Sequence, residues 1–171
     1  MDEPVRYYGK YRGTVINNID PMRMGRIQVQ VPDVHGLTPS TWAMPCVPSS
    51  GMQNGMLWLP MIGAGVWVEF EQGNPDYPIW VGGWWGSAAE VPALTQIAPP
   101  AVSTMAMQTT LQNGILLSDM PGPTGGIMLK STTGATIIVN DTGIYIQNGK
   151  GASITLIGPS VTVNAGALVV T

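Results

Sequence analysis

Charge is what this chain has least of. Only 10% of its 171 residues are charged, against roughly 25% in an average soluble domain. Such a deficit points either to a membrane or to surface that partner chains cover. From Gly36 to Val68 there is no charge at all, but Pro39, Pro45, Pro48 and Pro60 interrupt that stretch, with Gly51, Gly55, Gly63 and Gly65. A spanning helix needs about 20 mostly apolar residues without such breaks, so oligomerisation is the better account. Cysteine and histidine occur once each. Cys46 can make no intrachain disulfide, and its apolar surroundings predict a buried, inert thiol. His35 has no second histidine or cysteine near it, which is poor material for a metal site. Met1 is followed by Asp2 and Glu3 with no basic region and no apolar run, so no secretory signal peptide is expected.

What is present falls into two chemically different halves. All six tryptophans lie between Trp42 and Trp85, and residues 1–100 carry Lys10 and four arginines against eight acids. Residues 101–171 carry only Lys130, Lys150, Asp119 and Asp141. The first half alternates with period two, as strands do. Ile27, Val29 and Val31 fall on one side of a strand that Pro32 ends; Val66, Val68 and Phe70 do the same in the next clear case. Tyr11–Ile16, Trp42–Val47, Leu57–Leu59 and Ile79–Gly83 are further candidates, and no segment has a helical period. About five strands in about 80 residues suit a small closed barrel of the OB type. Ser87 to Gln108, rich in Ala, Pro and Thr, reads as an extended linker.

The second half repeats. Glycines recur at Gly126, Gly134, Gly143, Gly151, Gly158 and Gly166, in steps of 8, 9, 8, 7 and 8. The third residue after each is Leu129, Ile137, Ile146, Ile154, Val161 or Val169, always a branched aliphatic. The positions on either side of these are mostly polar. Each octad is thus a short strand with an inner and an outer face and a glycine corner. One chain makes six thin rungs, with no Phe, Trp or Met inside. Three chains wound together would close the core and pair every strand edge. The six aliphatics are therefore the expected trimer core. A single-chain β-helix is the competing reading, but its coils usually need about 20 or more residues. In the last octad Leu168 and Val170 stand at outer sites that in most earlier octads hold Thr, Ser or Gln. With Thr171 they form an expected apolar end that a partner would cover; the other reading is that strand twist rotates Leu168 and Val170 inward against neighbouring chains of the trimer.

Catalytic chemistry finds few candidates. Asp119 and Asp141 are not the paired carboxylates of a hydrolase and read as turn residues. Gly125-Gly126 and Gly149-Lys150-Gly151 lack phosphate-loop spacing. A net charge of −3 is no footprint of a nucleic-acid binder, and Arg26 is expected in an internal or intersubunit ion pair. No enzyme activity, metal or cofactor is expected.

Gly13-Thr14-Val15, Asp20-Pro21 and Gly25-Arg26-Ile27-Gln28-Val29-Gln30-Val31-Pro32 resemble the OB domain of phage baseplate assembly protein V and of the valine-glycine repeat spikes of type VI secretion. Further matches are Trp42-Ala43, Pro48, Gly51, Gly55, Pro60, Gly63, Val66-Trp67-Val68-Glu69-Phe70 and Gly73-Asn74-Pro75 with Pro78 and Gly82. Asn74 stands where aspartate is commoner. The octads resemble the shafts of the same spikes. The resemblance implies an all-β chain: an OB barrel over 1–86, a linker over 87–110, and an intertwined trimeric β-helix over 111–171. It implies a homotrimer that docks on a baseplate hub protein, carries a conical tip protein at Leu168, Val170 and Thr171, and touches the target membrane transiently. The place implied is a virion tail baseplate or an extracellular injection particle, assembled in the bacterial cytoplasm. With no hub domain expected before the barrel and no lysozyme domain expected between barrel and shaft, the form is expected to fit a phage tail or phage-derived particle better than a type VI spike. The other reading is a trimeric β-helical fibre that binds a receptor or glycan.

Overall fold

The computed structural model describes residues 5–170, and the chain divides into two compact units between Glu90 and Val91. The first unit contains, in order, β1 (Tyr11–Asn17), β2 (Gln28–Gln30), one helical turn α1 (Pro32–His35), β3 (Met44–Pro45), β4 (Ser50–Gly51), β5 (Asn54–Gly55), β6 (Gly65–Phe70) and β7 (Pro78–Trp84). The main sheet runs β2-β1-β6-β7-β3, and β4 pairs with β5 as a separate hairpin. All its pairs are antiparallel except β3 with β7. Bridges from Ile27 to Ala43 and from Gln30 to Pro39 tie β2 to the residues leading into β3. The sheet thereby closes on itself as a small barrel.

The alternation read from the sequence sets the core. Ile27, Val29, Val31, Val66, Val68 and Phe70 are buried, joined by Val15, Ala43 and Trp80. Full burial of such a side chain contributes about 1.5–3 kcal/mol over leaving it in water. Three details differ from expectation. Leu57–Leu59 forms no strand, and Trp42–Val47 pairs along β7 only at Met44–Pro45, with one further bridge from Ala43 to Ile27, because prolines remove ladder donors and glycines loosen this stretch. Pro32 not only ends β2 but opens α1, where its fixed φ suits the first helical position. Cys46 is exposed rather than buried, since its backbone N–H pairs with Trp80 O at the barrel edge while the side chain faces out.

β7 carries a bulge. Val68 pairs with Trp80, but Trp67 pairs with Gly82, so Val81 is the extra residue. Gly82 has φ +145°, a conformation that side chains disfavour. One inserted residue changes the parity of everything after it. Trp80 therefore points into the core, while Trp84 pairs with Gly65 on the outward face.

The second unit is an antiparallel meander: β8 (Thr104–Gln108), β9 (Gly114–Ser118), β10 (Gly126–Lys130), β11 (Thr136–Asn140), β12 (Gly143–Gln147), β13 (Ser153–Ile157), β14 (Ser160–Val163) and β15 (Leu168–Val170). Each strand pairs with the next in one eight-stranded sheet. The expected linker over 87–110 and shaft over 111–171 need correction, because the sheet starts at Thr104. Met105 and Met107 pair with Leu117 and Ile115. Five alternating residues were too short a signal beside the prolines. Upstream, a 3-10 turn at Ala93–Ile97 buries Leu94 against β8 and β9, and the Leu94 N–H donates to Gln108 Oε1 at 3.1 Å. This segment covers the start of the sheet.

Ile27 and Ile19 provide a check on the barrel. Ile27→Ala should lower unfolding stability by about 2–5 kcal/mol. Ile19→Ala, at an exposed side chain, should stay within about 0.5 kcal/mol of the parent. Denaturant titration followed by tryptophan fluorescence measures both.

Candidate trimer face and docking surfaces

In a strand, alternate residues share a face, and the ladder registers of the meander extend that face across eight strands. One cross-strand row is Met107, Ile115, Leu129, Ile137, Ile146, Ile154, Val163 and Leu168. A second row beside it runs Met105, Leu117, Ile127, Val139, Ile144, Leu156 and Val161. Every side chain in both rows is apolar. In a single chain most of this face stays open to water, up to 61% exposure at Met105, while Ile115, Leu156, Val161 and Val163 are half-buried. The other face carries Thr104, Ser118, Lys130, Thr136, Asn140, Gln147, Ser153, Thr155 and Thr162, besides a few apolar residues such as the buried Leu116.

Leu129, Ile137, Ile146 and Ile154, four of the expected core residues, stand next to one another in the first row. Val161 shares their face but lies in the second row, opposite Leu156. Val169 pairs with Thr162, out of phase with the other five. The turn before β15 explains the slip. Asn164 and Ala165 both adopt left-handed φ, 48° and 54°. The strand then starts two residues after Gly166 in opposite phase, and a one-residue shift exchanges the faces. Leu168 consequently stands opposite Val163 in the apolar row, not on the outward face as expected. Val170 pairs with Val161, and Thr171 lies outside the described residues. Met105 and Met107 also put methionine on the apolar face, where none was expected.

Hydrogen bonds between turns reinforce the meander's sides. The Thr132 N–H donates to Asn113 Oδ1 at 3.0 Å, and its hydroxyl donates to the Leu111 carbonyl. The Gly122 N–H lies 3.1 Å from both carboxylate oxygens of Asp141, and Asn140 Nδ2 donates to the Pro123 carbonyl. Asp141, read from sequence as a solvated turn residue, thus clips one turn to the next but one. Spacing alone carried no signal for this, because the partners are 19 residues apart.

In the barrel, Asp20 organises the loop between β1 and β2. It is 8% exposed and accepts from the backbone N–H groups of Met22, Met24 and Arg26. Arg26 Nη2 and Nε donate to Asp20 Oδ1 at 2.7 and 3.1 Å. The expected ion pair of Arg26 is therefore internal. The Arg26 hydrogen bond, with help from the three backbone donors, holds the Asp20 carboxyl well below the usual carboxylate range against the opposing effect of burial. Arg26 also lies 5.4 Å from the Trp42 ring centroid, and Trp80 Nε1 donates to the Gly25 carbonyl at 3.0 Å. The loop is thus fixed to the barrel wall. His35 packs edge-on to Phe70 at 5.8 Å. Among the described residues no group of three or more His, Cys, Asp or Glu could hold a metal ion.

The uncharged stretch leaves a second apolar surface on the barrel. Met52 (97% exposed), Met56, Leu57, Trp58, Met61 and Ile62 all face water. Asn18 Nδ2 donates to the Pro60 carbonyl at 3.0 Å and ties this ribbon to the end of β1.

A closed OB-type barrel followed by a sheet with one bare apolar face defines a structural, self-associating class of protein. Residues 11–85 match the Type VI secretion system/phage-baseplate injector OB domain. Residues 104–169 match the Phage baseplate V C-terminal trimerisation domain. The two matches take in most of the chain and agree: it belongs to the phage baseplate V spike family. It is a homotrimeric structural component of a baseplate injector, in a virion tail or injection particle. Comparison with curated proteins gives no match.

The Asp20 clasp makes a pH-dependent contribution. The folded pKa is depressed, so the contribution is complete above the unfolded value near 3.9 and fades as pH falls through the folded one. Asp20→Asn should lower the unfolding midpoint at pH 7, and the difference from the parent should shrink below about pH 4. Thermal melts across pH check this.

Proposed function

We propose that this chain is the central spike of the baseplate, seated on a hub protein and helping to puncture the target envelope. The observation that carries the reading is the unbroken apolar face of the meander. Each inner strand already has both edges hydrogen-bonded within its own chain. What a single chain lacks is therefore cover for a face, not partners for edges. Three such faces turned toward one axis make a three-sided β-helical shaft with a dry interior. Covering what remains exposed stabilises the trimer by roughly 1 kcal/mol per side chain.

A shaft of this kind transmits force well. Bending it would break many backbone hydrogen bonds together, and the turn-to-turn clips at Thr132 and Asp141 add bonds between non-adjacent strands. Eight strands at about 4.8 Å spacing span roughly 35 Å. The outer edge of Leu168–Val170 has no strand partner among the described residues, which supports a protein contact, in this reading a tip protein, at the β15 end. The exposed ribbon around Met52 and Trp58 supports a protein contact for the barrel, and the hub is the partner this reading requires. Contact with the membrane is transient and mechanical. The proposal includes no enzyme activity, cofactor or nucleic acid, and assembly in the bacterial cytoplasm before release. A receptor- or glycan-binding fibre would present aromatics along the shaft. Tyr145 is the single aromatic of residues 101–171, and its hydroxyl is engaged with Thr142 Oγ1 at 2.9 Å.

Imaging baseplates that carry a labelled copy of the chain tests the placement. Label on the tail axis at the distal end supports the spike; label on peripheral fibres supports the other reading. Substitution tests the face. Ile146→Asp places three carboxylates in the shaft interior, at several kcal/mol each when unpaired, and should abolish the trimer in sedimentation. Gln147→Asp, on the other face, should leave it intact. Leu168→Asp should weaken the trimer as well, because this side chain continues the apolar row. Unchanged assembly in that variant would return Leu168 to an outward role.

A further inference from the structure

Arg12, Trp67 and Trp84 form a cluster that neither the trimer face nor the Asp20 clasp uses. All three stand on the outward face of β1, β6 and β7: Arg12 pairs with Trp67, Trp67 with Gly82, and Gly65 with Trp84. The β7 bulge is what brings Trp84 there; without it Trp84 would share the core-facing parity of Trp80. Gly65 completes the arrangement, since a Cβ at that position would lie 2.6 Å from Trp84 Cε2. Trp84 Nε1 donates to the Val66 carbonyl at 3.2 Å and fixes the ring. The Arg12 guanidinium lies 5.0 Å from the Trp84 centroid and 5.7 Å from that of Trp67, with the two rings 6.3 Å apart. Arg12 is exposed. The ion pairs among the described residues join Lys10 to Glu69 and Arg26 to Asp20, and neither involves Arg12.

We propose that Arg12, held against Trp67 and Trp84, anchors a docking site on the barrel for a carboxylate side chain of a partner protein. Stacking orders the guanidinium but uses only its π face. The N–H edge keeps the planar fork that binds a carboxylate in two parallel hydrogen bonds. Because the side chain is already ordered, binding loses less rotamer entropy. Tryptophan and arginine are also the residues that dominate interface energetics. Nucleic acid is the poorer fit. A strand of phosphates needs a track of cations, and on this face the neighbouring Lys10 is already paired with Glu69. The inference rests on the barrel alone and stands whether or not the shaft punctures a membrane.

The test uses the full chain labelled with 5-fluorotryptophan and followed by fluorine NMR, with resonances assigned by single Trp→Phe changes. The probes are a capped five-residue peptide with a central glutamate between two phenylalanines, its glutamine twin, and oligothymidylate. The glutamate peptide should shift the Trp67 and Trp84 resonances at millimolar concentration, and the glutamine twin should bind about ten-fold more weakly or worse. Arg12→Ala and Arg12→Lys should both lose the response, with trimer size by light scattering unchanged. Lysine keeps the charge without the fork, so its failure separates bidentate docking from simple attraction. Equal response to the two peptides, response retained in Arg12→Ala, no response to either peptide, or a stronger response to oligothymidylate would each overturn the proposal.

Discussion

A sheet one layer thick cannot hide both its faces, and that constraint governs the C-terminal half of this chain. The meander satisfies its backbone almost completely, since consecutive strands exchange hydrogen bonds from β8 to β15. Its side chains are not satisfied: the two apolar rows stay in water while hydroxyl, amide and lysine groups occupy much of the opposite face. Hydrogen bonding and the hydrophobic effect thus act at different levels of assembly. The first is completed within one chain; the second is completed only by other copies. This division accounts for the low charge. A shaft that buries one whole face between copies has little room for charged side chains, and residues 101–171 contain four.

The barrel obeys the opposite arrangement, because its closed sheet encloses its own core. Its special features sit where the regular pattern is broken. Asp20 gathers three backbone N–H groups and Arg26 into one loop. The bulge at Val81 divides the tryptophans of β7 between inside and outside. Trp80 and Trp84 are four residues apart, so strict alternation would put both on one face. The extra residue instead makes one a core side chain and the other part of an outward cluster with Arg12.

Much of the architecture was legible from residue order. Period-two runs such as Ile27-Gln28-Val29-Gln30-Val31 identify their buried side directly, and the recurrence of glycine every eight residues marks strands and corners of the shaft. Both signals are local: each needs only a residue's own chain neighbours. Leu129, Ile137, Ile146 and Ile154 were placed together for that reason. A turn of changed length leaves no such local signal. The left-handed pair Asn164 and Ala165 shifts β15 by one residue and brings Leu168 into the apolar row. Met105 and Met107 lie in a strand too short to stand out beside the prolines.

Sequence by itself therefore determined the all-β class, the two-part division, the inward side of each regular strand, and the need for other copies. These follow from composition and periodicity, which are properties of a chain read in one dimension. Tertiary structure decided the pairing of edges within one chain, the phase of the last strand, the clipping of turns 19 residues apart, and the meeting of Arg12 with two tryptophans more than 50 residues away in the chain. Each of these depends on ladder register, and register is set by turn geometry and bulges that residue types constrain only weakly.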